Sequence, residues 1–190
     1  MKMPFIQITY DDLYFDPKVQ EMCISPSFKC PSYGHSWSCP PNSPYLEKAL
    51  SMYAEFYLIY SKFDLEQYIK EEKERSGRSE FFIKNTFLLT KSFRTNDLEK
   101  EVNNFLKKYK QPYKKRLLLY DGTCKYCEMQ NLNGCNFDSG EPCRYPDKKQ
   151  YSMEAVGIEV IKTVLRLKDK LNIEYPSNKY SYRFGLACFK

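Results

Sequence analysis

A chain of 190 residues that is 42% hydrophobic and 16% aromatic has enough apolar surface to bury a core as one domain over 1–190, which excludes the disordered classes. The opening MKMPFIQITYDDLYFDP lacks the apolar stretch of an export signal and no later run reaches membrane-spanning length. A soluble cytoplasmic protein is therefore expected, in which eight cysteines signal metal or redox chemistry rather than disulfides. The formal charge of +6 comes largely from lysines mixed with acids, as in YIKEEKERSGRSE, a pattern of solvated helix faces that argues against nucleic acid and leaves room for an anionic prosthetic group.

In chain order, FIQITY (5–10) reads as a β-prone opening strand, followed by a proline-punctuated cysteine segment from Cys23 to Pro41. SPYLEKALSMY predicts a helix with Ser43 as N-cap, Pro44 at the first helical position, and Leu46, Ala49, Leu50 and Tyr53 on its apolar face. EFYLIYSKF (55–63) is aromatic and reads as a central strand. A helical stretch follows from Asp64 to about Arg94, interrupted around Ser76 to Ser79. A second helix over TNDLEKEVNNFLKKY has Leu98, Val102, Phe105 and Leu106 as its stripe. KRLLLYDG (115–122) is a buried strand that leads into the second cysteine segment. SMEAVGIEVIKTVLRLKDKLN predicts the clearest helix, with Ser152 as N-cap and Val156, Val160, Val164, Leu167 and Leu171 on one face. In KYSYRFGLACFK, Tyr180, Tyr182, Phe184, Leu186 and Cys188 share one side of a last strand. The expected fold is α+β, a small sheet of about four strands packed with helices and carrying two cysteine-rich loops.

Cys124, Cys127, Cys135 and Cys143 stand at C-x2-C-x7-C-x7-C spacing. C-x2-C is a turn that points two thiolates at one centre, and the other two follow at loop distances that can fold back. Zinc ribbons repeat the short knuckle on both sides. Here the second pair is seven residues apart, which favours an iron–sulfur cluster of the [4Fe–4S] kind, with zinc as the alternative. Such a cluster is anionic, and Arg144 and the N-terminal end of the helix expected at Ser152 would offset its charge, with Pro146 stiffening the link between them.

Cys23, Cys30 and Cys39 form a second set, at C-x6-C-x8-C. Three thiols would leave one iron of a cluster open to a substrate or small thiol, unless His35, the one histidine, or Cys188 closes it. Each of the two also has an ordinary reading, as a hydrogen-bonding side chain and a small buried hydrophobe. Trp37 suits either a cover over the group or plain core. Glu154 is a candidate acid, better read as a carboxylate favoured by a helix dipole. C-x2-C as a redox pair would open a thioredoxin-like helix, whereas here it follows a strand and enters a Gly/Asn loop. No phosphate-binding glycine pattern is present.

Cys23, Cys30, YGHSWSCPP ending at Pro41, CKYC from Cys124 to Cys127, PCRYP around Cys143 and SMEAVGIEV from Ser152 together resemble a prokaryotic, cysteine-rich family of predicted metal-binding proteins (domain of unknown function 2284). The resemblance runs nearly the full chain. It implies metal binding through the cysteines and names no reaction, so it leaves open whether the chain is an enzyme. It also implies a setting in anaerobic bacteria and archaea, where oxygen-sensitive clusters persist. The expected partner is a redox protein or a small-molecule substrate, with electron transfer or cluster-dependent chemistry as the function and a zinc-stabilised interaction module as the alternative.

Overall fold

The computed structural model describes residues 3–25, 28–90 and 97–190. Strand β1 (Phe5–Ile8) is followed by short 3-10 turns and the ribbon of β2 (Ile24–Ser25) and β3 (Phe28–Lys29). Next come the one-turn helix α1 (Glu47–Leu50), the long strand β4 (Glu55–Asp64), and the helices α2 (Leu65–Ser76), α3 (Glu80–Thr90) and α4 (Asp97–Lys108). Strand β5 (Arg116–Tyr120), helix α5 (Tyr126–Met129), strand β6 (Tyr151–Ser152), helix α6 (Val160–Leu171) and strand β7 (Tyr180–Phe189) complete the chain.

The sheet has five strands in the order β1–β4–β7–β5–β6, with β2–β3 a separate ribbon. Every neighbouring pair is antiparallel except β5 and β6. Strands β4 and β7 pair along their whole length, from Glu55 opposite Phe189 to Asp64 opposite Tyr180. Side chains alternate across a strand, so each one serves two cores. On one face Phe56, Leu58 and Tyr60 of β4 and Phe184, Leu186 and Cys188 of β7 pack with Val164, Leu167 and Leu171 of α6. On the other, Ile59, Ala187 and Phe189 meet Leu98, Val102 and Phe105 of α4. The α+β class holds, with one more strand in the main sheet than expected.

Sequence periodicity located these elements well. Asp64 closes β4 and caps α2 by accepting from the Gln67 amide at 3.0 Å, and Gly77, in the left-handed conformation, ends that helix. The expected helical residues 91–96 lie outside the described residues.

Two expected N-caps are corrected. Ser43 caps nothing: its amide and that of Asn42 both donate to the Cys39 carbonyl, which holds the chain in a turn, and α1 begins at Glu47 without a side-chain cap. Ser152 lies in β6, paired with Tyr120 of β5, and its hydroxyl accepts from the Ala155 amide at 3.0 Å within a 3-10 turn. Gly157, at φ +94°, then redirects the chain, and α6 starts at Val160 with Glu159 as cap, its carboxylate taking the Ile161 and Lys162 amides. Met153, Val156 and Ile158 are buried from this turn rather than from a helix. No helix among the described residues is long and apolar enough to cross a membrane.

Candidate metal centre

The second cysteine segment is the crossover between β5 and β6. Parallel strands need a connection of a dozen or more residues, usually built around a long helix; here the connection is a loop with the short α5 and two 3-10 turns. Cys124 and Cys127 flank the start of α5, and the Cys127 carbonyl accepts from the Gln130 and Leu132 amides, which closes the knuckle. Farther on, two bonds tie 134–136 to 142–144. The Asn136 side-chain amide donates to the Pro142 carbonyl at 2.6 Å, and an Arg144 guanidinium nitrogen donates to the Gly134 carbonyl at 3.2 Å. Both bonds come from side chains, and they tie together the two stretches that carry Cys135 and Cys143.

The Cys124 sulfur accepts from the Gln150 amide at 3.4 Å. Burial raises its thiol above the ordinary value, nearby Cys127 and Cys143 add to the rise, and the amides of Gln150 and Tyr126 oppose it. Backbone donors aimed at a sulfur favour the thiolate, the form that binds metal. Arg144 is exposed and braces the loop. The N-terminus of α6, satisfied by its own Glu159, begins at Val160 rather than at Ser152 and so does not supply the charge compensation expected from that position.

In the first segment the β2–β3 ribbon explains the six-residue gap. Ile24 pairs with Lys29, so the next rung places Cys23 opposite Cys30, closed by the Cys30 amide donating to the Cys23 carbonyl at 2.8 Å. The Cys23 thiol is pushed up to about 11 by burial, with contributions from Cys30, which hydrogen-bonds to it, from Cys39 and from the Glu154 carboxylate. All three thiols line one cavity of about 500 Å³, together with Glu154 and the buried ion pair of Arg183 with Asp121 (Nη2 to Oδ1, 2.6 Å). Glu154 therefore stands in a cavity wall, at the start of a 3-10 turn rather than of the long helix α6. Burial, with Asp121 adding to it, pushes its carboxyl up to about 7.

Neither candidate fourth ligand of the first group is placed for that role. Cys188 is fully buried in β7, opposite Phe56 and Leu117, where loss of solvent pushes its thiol far up. His35 is half exposed, its Nδ1 2.9 Å from Asp138 Oδ1. Among the described residues no three cysteine, histidine or acidic side chains stand at the spacing that would hold one metal ion. Cys23 lies close enough to Cys30 and Cys39, and Cys124 to Cys127 and Cys143, for their charges to interact.

The contact between the two segments escaped sequence reasoning. The Cys124 amide donates to Ser38 Oγ at 3.2 Å, and that oxygen lies 4.0 Å from the Cys39 sulfur. The Cys39 thiol reaches Thr123 Oγ1 at 3.5 Å. Around this seam Trp37 donates to the Glu141 carbonyl at 3.1 Å and packs edge-on against Phe137, while His35 meets Asp138. The one histidine and the one tryptophan thus clasp the second loop. Their position beside the cysteines was the available signal, but nothing in it named a partner some 100 residues away.

The donor chemistry fits a thiolate-bound metal group: soft ligands in two sets, amides directed at a sulfur, and a buried Asn136 Oδ1 without a hydrogen-bond partner beside Cys135. Neither a curated protein nor a solved structure matches the chain. A family model described as predicted metal-binding protein (DUF2284) matches residues 6–187. That span takes in both cysteine segments and all five strands of the main sheet bar the first residue of β1 and the last two of β7, so the chain belongs to this family of predicted metal-binding proteins.

Proposed function

We propose that the chain is an iron–sulfur protein. One [4Fe–4S] cluster would be held by Cys124, Cys127, Cys135 and Cys143 and a second by Cys23, Cys30 and Cys39, for electron transfer or cluster-dependent chemistry. The observation that supports this reading is the pair of side-chain bonds from Asn136 and Arg144, which tie 134–136 to 142–144, the two stretches that carry Cys135 and Cys143. When bound, such a group supplies one-electron redox chemistry, and at the three-thiol set an iron without a protein sulfur. The chain's own contribution is to aim amides at the Cys124 sulfur, to brace the loop through Arg144, and to wall the first set with Glu154 and the Arg183–Asp121 pair.

Purification without oxygen tests the proposal. Brown protein containing iron and acid-labile sulfide is expected, with charge-transfer absorbance near roughly 400 nm. Cys143→Ala should lose only the cluster of the second set, and Cys30→Ala only that of the first. Colourless protein carrying stoichiometric zinc would replace this reading with that of a zinc-stabilised interaction module.

A further inference from the structure

The β2–β3 ribbon also sets up a reaction that needs no metal. Residues facing each other across antiparallel strands stand roughly 4.5–5.5 Å apart at Cα, inside the span of roughly 4.4–6.8 Å that a disulfide bridges. Cys23 and Cys30 occupy such a rung beside Ile24 and Lys29, with the Cys30 amide on the Cys23 carbonyl at 2.8 Å and a hydrogen bond between the two thiols. Both thiols are free and half-buried, and both line the cavity of about 500 Å³, a size within the range of roughly 300–1,000 Å³ that small-molecule sites occupy. Cys39 lines the same cavity but is buried, and its thiol is directed at Thr123 Oγ1, 3.5 Å away. A bond between Cys23 and Cys30 therefore asks little of a ribbon whose backbone is already paired, whereas a bond to Cys39 must first pull that thiol from its place.

We propose that in the metal-free chain Cys23 and Cys30 are a dithiol that reduces low-molecular-weight disulfides admitted to this cavity. One of the two, as its thiolate, attacks a sulfur of the small disulfide. The molecule's S–S bond breaks, a mixed disulfide forms with the protein, and the first small thiolate leaves and takes a proton from water. The other protein thiol, having given its proton to water, attacks the protein sulfur of the mixed disulfide, expels the second small thiolate and closes the Cys23–Cys30 bond. Two electrons pass from the protein sulfurs to the molecule, and the products are two small thiols and an oxidised ribbon. An external dithiol, itself oxidised to a disulfide, restores the pair. The reaction goes beyond the metal reading, since it uses the first set's thiols when no metal holds them.

The test uses the full chain made metal-free with a chelator, its fold checked by circular dichroism, with hydroxyethyl disulfide as the probe. Peptide fragmentation after the reaction should find Cys23 joined to Cys30 and Cys39 free. Cys23→Ser and Cys30→Ser should each lack this bond, and neither should release the second small thiol from the first segment. Relative to the rate of each with free cysteine, hydroxyethyl disulfide should close the bond at least ten-fold faster than the bulkier glutathione disulfide. Ser32→Trp, which narrows the half-buried cavity lining, should slow closure by hydroxyethyl disulfide at least ten-fold, while hydrogen peroxide still closes the pair. No bond, a bond from either residue to Cys39 instead, or equal relative rates with the two disulfides would each overturn the proposal. None of these outcomes bears on which metal the loaded chain carries, so the function proposed above stands or falls separately.

Discussion

Asn136 holds the second cysteine loop through a single buried amide. Its nitrogen meets the Pro142 carbonyl at 2.6 Å, and its oxygen has no hydrogen-bond partner. Removing the side chain breaks this part-buried bond, a cost of about 0.5–1.5 kcal/mol. Asn136→Ala should therefore lower the metal content of the second group and not that of the first, read by metal analysis of the variant alongside Cys30→Ala. Glu154 gives a pH signature. Its carboxyl, ordinarily at 4.5, sits at about 7 in the fold, chiefly because burial penalises the charged form. The folded chain thus binds this proton more tightly than the unfolded chain. The stabilisation is complete below the ordinary carboxylate range and is lost as pH rises through about 7. In metal-free protein, Glu154→Gln should accordingly melt higher than the native chain at pH 8 and little differently at pH 4, read by thermal unfolding at both values. At this scale the cysteines were legible because their spacing is itself the signal. Ser38, Thr123 and Asn136 were not, because a hydroxyl or amide that bonds across the fold looks in sequence like any other polar loop residue.

Four core elements were legible: β4 through its aromatic, β-prone run, β7 through alternation, and α4 and α6 through stripes that the structure buries at Leu98, Val102 and Phe105 and at Val164, Leu167 and Leu171. Helix starts were legible only where the capping side chain is free to cap. Asp64 does so for α2, whereas Ser152 satisfies a 3-10 turn with the same hydroxyl-to-amide bond that an N-cap would make, and the two are indistinguishable as a sequence pattern. The separation of that turn from α6 depends on Gly157, whose φ of +94° is costly for a side chain and whose absent Cβ leaves space taken by the Tyr45 ring. Gly157→Ala should destabilise the fold by more than about 1 kcal/mol through the backbone alone, visible as a lowered denaturation midpoint with an unchanged slope.

Across the whole molecule, apolar burial is concentrated in the sheet with α4 and α6, while most residues of the second cysteine loop are only half-buried or exposed. A bound metal group would supply part of the folding energy of these loops. Removing it should leave the helix and strand content nearly unchanged by circular dichroism, yet raise amide exchange through 121–150 and 28–43 well above that of β4 and β7. Exchange that slows equally everywhere on metal loading would contradict this division. The division follows from the parallel pairing of β5 with β6, in which Leu119 stands opposite Tyr151 and Tyr120 opposite Ser152. Because the chain departs after one rung and returns at the adjoining one, everything between behaves as a cartridge clipped to the sheet margin. Its length and ligand spacing can be rewritten while β4 and β7 keep their strand pairing, provided that Asp121 stays to meet Arg183 of β7.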